Sequence, residues 1–234
     1  MNFKKSVLAI VVGISLGGAA FAQESHSTKS VLDGSTVDGP ANFGVYAVAG
    51  SGGYGLGLIK HISPNFGIRA EALAYSYNGT YNQNAVTYDV AVKLRDSGVY
   101  ADYRPFAGMF RVVGGVMINT PSASMSAQPT GGVFTLNGID YSAAGESISS
   151  TIKFPSSMPY VGIGWGYGGY NKKGFSVGVD IGASIGKPSF TYTASSGLTT
   201  LAGSDLQAEA DKIRKDVEKI KFYPGFKVGV SYAF

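Results

Sequence analysis

The sequence predicts an all-β fold: a transmembrane antiparallel up-and-down β-barrel of eight strands, with a short helix in its last long loop. Three observations carry that expectation. The chain opens on an export signal, it closes on an alternating aromatic strand, and between the two its apolar residues recur at every second position. Beyond the signal there is no run of about 18 apolar residues, which excludes helical membrane spans.

Lys4 and Lys5 give a positive start, Val7 to Gly18 is apolar, and Ala20-Phe21-Ala22 is a small-x-small cleavage site, so residues 1–22 read as a signal peptide. Residues 23–42 are polar and aperiodic and read as a flexible periplasmic lead; residues 43–234 are the barrel. Cleavage leaves 212 residues with 17 basic and 15 acidic side chains, too near neutral to point to nucleic acid. The chain has no cysteine, and an exported chain without disulfides can draw its stability from a closed strand network in lipid. Its 34 glycines, 15 tyrosines and 13 phenylalanines suit strands with interfacial aromatics and a crowded interior.

Strands are expected near 43–50, 54–62, 66–77, 85–104, 109–120, 158–168, 175–193 and 221–234. In the last of these, Phe226, Val228, Val230, Tyr232 and Phe234 alternate with Lys227, Gly229, Ser231 and Ala233, placing an apolar face toward lipid. Phe175 to Ile185 and Phe110 to Ile118 alternate in the same way, and Val161, Ile163, Trp165 and Tyr167 alternate with glycines. Val86, Tyr88, Val90, Val92 and Leu94 are assigned to the lipid face of their strand. A phase slip between Leu94 and Val99 then implies a bulge near Asp96-Ser97-Gly98. Short turns at 63–65, 104–108 and 170–174 mark the periplasmic side, whereas 121–157 and 194–220 are long extracellular loops. Asn137-Gly138 after Gly132 to Leu136 predicts a projecting hairpin, and ten strands is the corresponding alternative. Within 205–220, Ser204 and Gln207 form a capping box, and Leu206, Ala210, Ile213, Val217 and Ile220 line one face of a helix, either a lid at the barrel mouth or a stiff spacer.

Motifs of chemistry are weak. Gly174-Phe-Ser176-Val-Gly178 and Gly13-Ile-Ser15-Leu-Gly17 fit a nucleophile elbow, but the first opens a strand and the second lies in the cleaved signal. Gly164-Trp-Gly166-Tyr-Gly168-Gly169 fits a dinucleotide fingerprint without the helix it needs. His26 and His61 have no partner at ligand spacing. No enzyme, cofactor or metal is expected. The inward charges are the better lead: Arg69, Glu71, Asp89, Lys93, Arg95, Asp102, Arg104, Arg111, Asp180 and Lys227 are expected to line the interior, six basic against four acidic. An eight-stranded barrel is just wide enough for side chains to fill. Two readings stay open, a paired ion network that plugs the barrel or a narrow polar path for small zwitterions. The inward glycines at 162, 164, 166, 178, 182 and 229 favour the path, because they free volume.

Gly55-Leu-Gly-Leu58, Ser63-Pro-Asn-Phe-Gly-Ile-Arg69, Asp102-Tyr-Arg-Pro-Phe106, Phe110-Arg111, Pro159-Tyr-Val-Gly-Ile-Gly-Trp165 and the closing Tyr223-Pro224 to Phe234 resemble the small CarO-type outer-membrane proteins. The resemblance covers most of the mature chain but rests on turns and strands. It implies an outer-membrane location, eight strands and a porin-like uptake of small amino acids, basic ones such as ornithine among them. The basic excess of the expected lining fits cationic solutes poorly. The expected partners are outer-membrane lipid and lipopolysaccharide, the barrel-assembly machinery through Phe234, and small polar solutes, with the chain a monomer. The alternative is a pore-less structural or adhesive barrel whose loops 121–157 and 194–220 make the contacts.

Overall fold

The computed structural model describes residues 37–38, 42–83, 86–118, 121–129 and 133–234. The signal peptide, its cleavage site, His26 and most of the polar lead lie outside the described residues. In chain order the strands are β1 (Val37–Asp38), β2 (Phe43–Gly50), β3 (Gly53–His61), β4 (Phe66–Gln83), β5 (Val86–Tyr103), β6 (Phe110–Ile118), β7 (Ser122–Pro129), β8 (Val133–Leu136), β9 (Ile139–Ser142), β10 (Ile148–Lys153), β11 (Ser157–Gly166), β12 (Lys172–Ile185) and β13 (Ser189–Ala194). Helix α1 (Ser196–Val217) and β14 (Phe222–Ala233) complete the chain.

Eight strands close a ring in the antiparallel order β2-β3-β4-β5-β6-β11-β12-β14, and β14 returns to β2. At the seam the Phe234 amide donates to the Phe43 carbonyl at 3.0 Å, and the two rings stand 5.5 Å apart. The period of two explains the wall. Outward residues such as Leu56, Ile68, Val116, Ile163, Ile181 and Val230 are exposed, as a lipid belt requires. Aromatics gird the short-turn end: Phe66 meets Tyr103 at 6.4 Å, Phe110 meets Trp165 at 5.2 Å, and Phe175 meets Tyr232 at 4.9 Å. No described helix is long and apolar enough to cross a membrane.

The short turns at 63–65 and 104–108 lie where the sequence puts them, whereas the third, expected at 170–174, falls at 167–171 because β12 already starts at Lys172. β1 departs from the expected free lead, pairing antiparallel with Lys172 and Lys173, while the Asn42 carbonyl accepts from the His61 amide at 2.7 Å. At the opposite end β4 and β5 run 18 residues each, well past the ring. β7 continues β6 along β5, since Ser97 faces Ile118 and Lys93 faces Ser122 in one register. β10 and β13 join to give a five-stranded extension, β4-β5-β7-β10-β13. The expected strand 175–193 is thus two, broken at Gly186-Lys187-Pro188, where β12 leaves β14 and β13 turns to β10.

On the inner face of this extension sit α1 and the β8–β9 hairpin, whose Asn137 (φ 51) and Gly138 (φ 88) are the two positive-φ residues of a tight turn. Leu198, Leu206, Ala210, Ile213 and Val217 of α1 pack with Val86, Tyr88, Met125, Phe134, Ile148 and Phe190. Helix α1 begins nine residues before the expected 205, but the non-helical Ala202 (φ −136, ψ 23) breaks it into two segments, and the second starts close to the expected position. Its start is served from outside: Glu146 accepts from the Leu198 amide at 3.2 Å and from the Ser195 hydroxyl. Asp205 accepts from the Tyr141 hydroxyl and from Asn137 at 3.0 Å, which ties helix to hairpin and holds the Asp205 carboxyl below its usual range.

The expected bulge in β5 is absent. β4 and β5 stay in register from Phe66–Tyr103 to Gln83–Val86. What changes is the surroundings. Inside the membrane zone the outer face of β5 meets lipid and its inner face is polar. Beyond the ring the outer face meets water and the inner face builds the apolar core. Val86, Tyr88 and Leu94 are therefore buried and inward, while Asp89, Lys93 and Arg95 are exposed on the outside and do not line the interior.

Candidate functional site

Every strand of the ring sends a polar side chain or a ring inward: Tyr46 (β2), His61 (β3), Arg69 (β4), Asp102 (β5), Arg111 (β6), Tyr160 (β11), Asp180 (β12) and Lys227 (β14). Seven of the ten expected lining residues are in this cluster: Arg69, Glu71, Asp102, Arg104, Arg111, Asp180 and Lys227. Asp96 joins them, because β5 has no bulge and position 96 shares the phase of 102.

Among the described residues the interior charge is balanced. Arg69, Arg104, Arg111 and Lys227 face Glu71, Asp96, Asp102 and Asp180, four against four, as desolvation demands. Arg111 spans two strands, at 3.0 Å from Asp102 and 2.9 Å from Asp180. Arg69 reaches the same two acids at 2.8 and 3.1 Å. Lys227 pairs with Glu71 and stands 3.3 Å from Asp96. Arg104 has no carboxylate partner among the described residues; its guanidinium donates to His61 Nδ1 at 2.8 Å. His61, which the sequence offers no partner at ligand spacing, is therefore a buried interior residue held by Arg104.

Tyrosines fill the space between these ions. Tyr46 donates to Glu71 at 2.7 Å, Arg111 stacks 4.7 Å over the Tyr167 ring, and Lys227 lies 4.9 Å over Tyr100. Tyr167 was expected on the lipid side. It is buried because β11 ends at Gly166 and Tyr167 takes a positive φ of 59, which swings its ring inside. The glycines seat these rings. A Cβ at Gly178 would meet Tyr167 at 2.3 Å, one at Gly182 would meet Tyr160 at 2.4 Å, and one at Gly57 would meet Tyr46 at 2.3 Å. The volume that glycine frees is thus occupied by tyrosine, not left as a path.

The side chains of this cluster are closed off from bulk solvent. Arg111 is 0% exposed, Asp102 and Arg104 1%, and even Glu71, the most open of the seven, 6%. Toward the extension the interior turns apolar, where Leu94, Met117, Phe154, Met158 and Tyr223 pack into a second layer. Ser176 of the elbow-like pattern is an ordinary buried strand residue whose Oγ accepts from the Gly168 amide at 2.7 Å.

This fold has solved counterparts. CarO of Acinetobacter baumannii is 24% identical over 82% of this chain and 97% of its own, with a TM-score of 0.56. CarO2 of the same organism is 19% identical over 85% of this chain and 100% of its own, with a TM-score of 0.58. The chain folds as a CarO-type outer-membrane barrel. No protein-family model and no curated protein matches it. Its exposed apolar belt and aromatic girdle are what a strand-built wall presents to lipid.

Proposed function

We propose that this protein is a closed outer-membrane barrel that anchors and displays a folded cap, made of the β4–β5–β7–β10–β13 extension, the β8–β9 hairpin and α1. The cap's contacts with partners or with the envelope, through 121–157 and 194–220, are then its working surface. The observation that supports this reading is the filled interior: balanced, water-excluded ions under an apolar layer of Leu94, Met117, Phe154, Met158 and Tyr223. A zwitterion crossing it would have to displace paired ions and then shed its own hydration against methionine and aromatic rings.

Passive uptake of small polar solutes, amino acids first, is the second reading. One observation favours it: His61 Nε2, Asp96 Oδ1, Asp102 Oδ1, Arg104 Nε, Arg111 Nε and Tyr167 Oη are buried without a hydrogen-bond partner among the described residues. Bound water, or the ammonium and carboxylate of a zwitterion, would satisfy such atoms. Osmotic swelling of liposomes holding the refolded mature protein separates the two readings. With glycine, ornithine, glutamate and a small sugar, swelling should not exceed that of protein-free vesicles, folding being checked by heat-modifiable migration. Swelling that ranks these solutes by charge would overturn the closed barrel and make the interior cluster the site.

A further inference from the structure

The outer face of the sheet changes character in three steps. In the membrane zone it is apolar, with Val99 and Tyr103 on β5 and Val112, Val116 and Ile118 on β6. Directly beyond come Arg95 and Lys93 on β5 and Lys153 on β10, all exposed. Lys93 and Lys153 both stand opposite Ser122, one on either side, so they share a row across three strands. At about 4.8 Å per strand their backbones are about 10 Å apart, with Arg95 about 7 Å along the strand from Lys93. None of the three side chains makes an ion pair with a described residue.

Above this row the face is lined by short polar side chains: Asn78, Thr80, Ser124, Ser126, Ser149 and Thr151 surround a hollow of about 410 Å³. Asp89 is the one acid on the outer faces of β4, β5, β7, β10 and β13 among the described residues. It sits in the hollow, four residues above Lys93, and accepts from Thr80 at 2.7 Å. An apolar belt, then unpaired cations, then a hydroxyl-lined hollow repeats in order the acyl chains, phosphates and sugars of a phosphorylated saccharolipid standing beside the wall. A plain phospholipid would use the cations and leave the hollow empty.

We propose that Lys93, Arg95 and Lys153 bind the phosphates of the outer leaflet's saccharolipid, whose sugar units lie against the hollow above them. The site is on the outside of the barrel, so it stands whether the interior is open or closed, and the swelling result does not bear on it. Near an anionic surface each basic residue strengthens binding about fivefold, and losing three predicts weakening on the order of a hundredfold. The test is native mass spectrometry of the whole folded protein with three probes: bisphosphorylated lipid A, its dephosphorylated form, and phosphatidylglycerol. The triple variant Lys93→Gln, Arg95→Gln, Lys153→Gln should lose most of its lipid A retention. Lys60→Gln, exposed at the other end of the barrel, should keep it. Dephosphorylated lipid A and phosphatidylglycerol should both bind more weakly to the unsubstituted protein than lipid A does. Equal retention by the triple variant, or phosphatidylglycerol binding as well as lipid A, would overturn the proposal.

Discussion

Arg111 shows how a single side chain holds two strands of the wall to a third. Its guanidinium is fully buried on β6 and reaches Asp102 on β5 and Asp180 on β12, while its face stacks on Tyr167. Arg111→Met would leave two buried carboxylates to Arg69 alone. Breaking a buried pair in this way costs about 3–5 kcal/mol, far more than the pair contributes over a well-packed apolar replacement. We expect the urea midpoint of the heat-modifiable species to fall accordingly for Arg111→Met. Adding Asp180→Asn should recover part of the loss, because it removes one of the stranded charges. A double variant no more stable than the single one would mean that Asp180 is not held by Arg111. The role of Arg111 was legible in its alternation with Phe110 and Val112, but the part of Tyr167 was not. Its period places it on the lipid side, and only the positive φ at the end of β11 turns it in. A backbone reversal of that kind is decided by the turn it enters, not by the strand it leaves.

At the scale of elements, the period of two was readable wherever one environment lasted the length of a strand. β6, β12 and β14 keep lipid on one side throughout, and the faces read for them match their burial. β5 does not, because it crosses from lipid into water while its inner face goes from ions to an apolar core. An unbroken strand then shows an inverted pattern, which mimics a one-residue slip. The same error moved Asp89, Lys93 and Arg95 inside, hid Asp96, and produced an apparent basic excess where the interior is balanced. Labelling offers a direct check, made clean by a chain without cysteine. Asp89→Cys should react in intact cells with a membrane-impermeant maleimide, whereas Val99→Cys, in the lipid belt of the same strand and on the same face, should not. Protection of the cysteine at 89 to the same degree as that at 99 would restore the bulge and the inward placement.

The whole molecule joins two kinds of core along shared strands, and the question is which of them the barrel needs. The ring closes through its own hydrogen bonds and, Arg104 apart, its buried ions pair within it, while α1 and the hairpin pack on the extension beyond. Ile118 faces Ser157, and Ile185 faces Phe222, so each pair of positions is already set for a tight hairpin at the rim. Replacing 119–156 and 186–221 with four-residue turns would remove β7 to β10, β13 and α1 without touching the eight strands of the ring. Leu94, Met117, Met158 and Tyr223 would lose Phe154 as their cover. Each such buried side chain is worth roughly 1.5–3 kcal/mol when fully shielded, so the trimmed barrel should fold with a lowered unfolding midpoint. It should still migrate as a heat-modifiable species, and it should still give no swelling, because the layer of Arg69, Arg111, Asp102 and Asp180 below remains intact. A trimmed chain that folds but conducts would place the closure in the cap and make it a lid. One that never becomes heat-modifiable would show that the extension takes part in closing the ring.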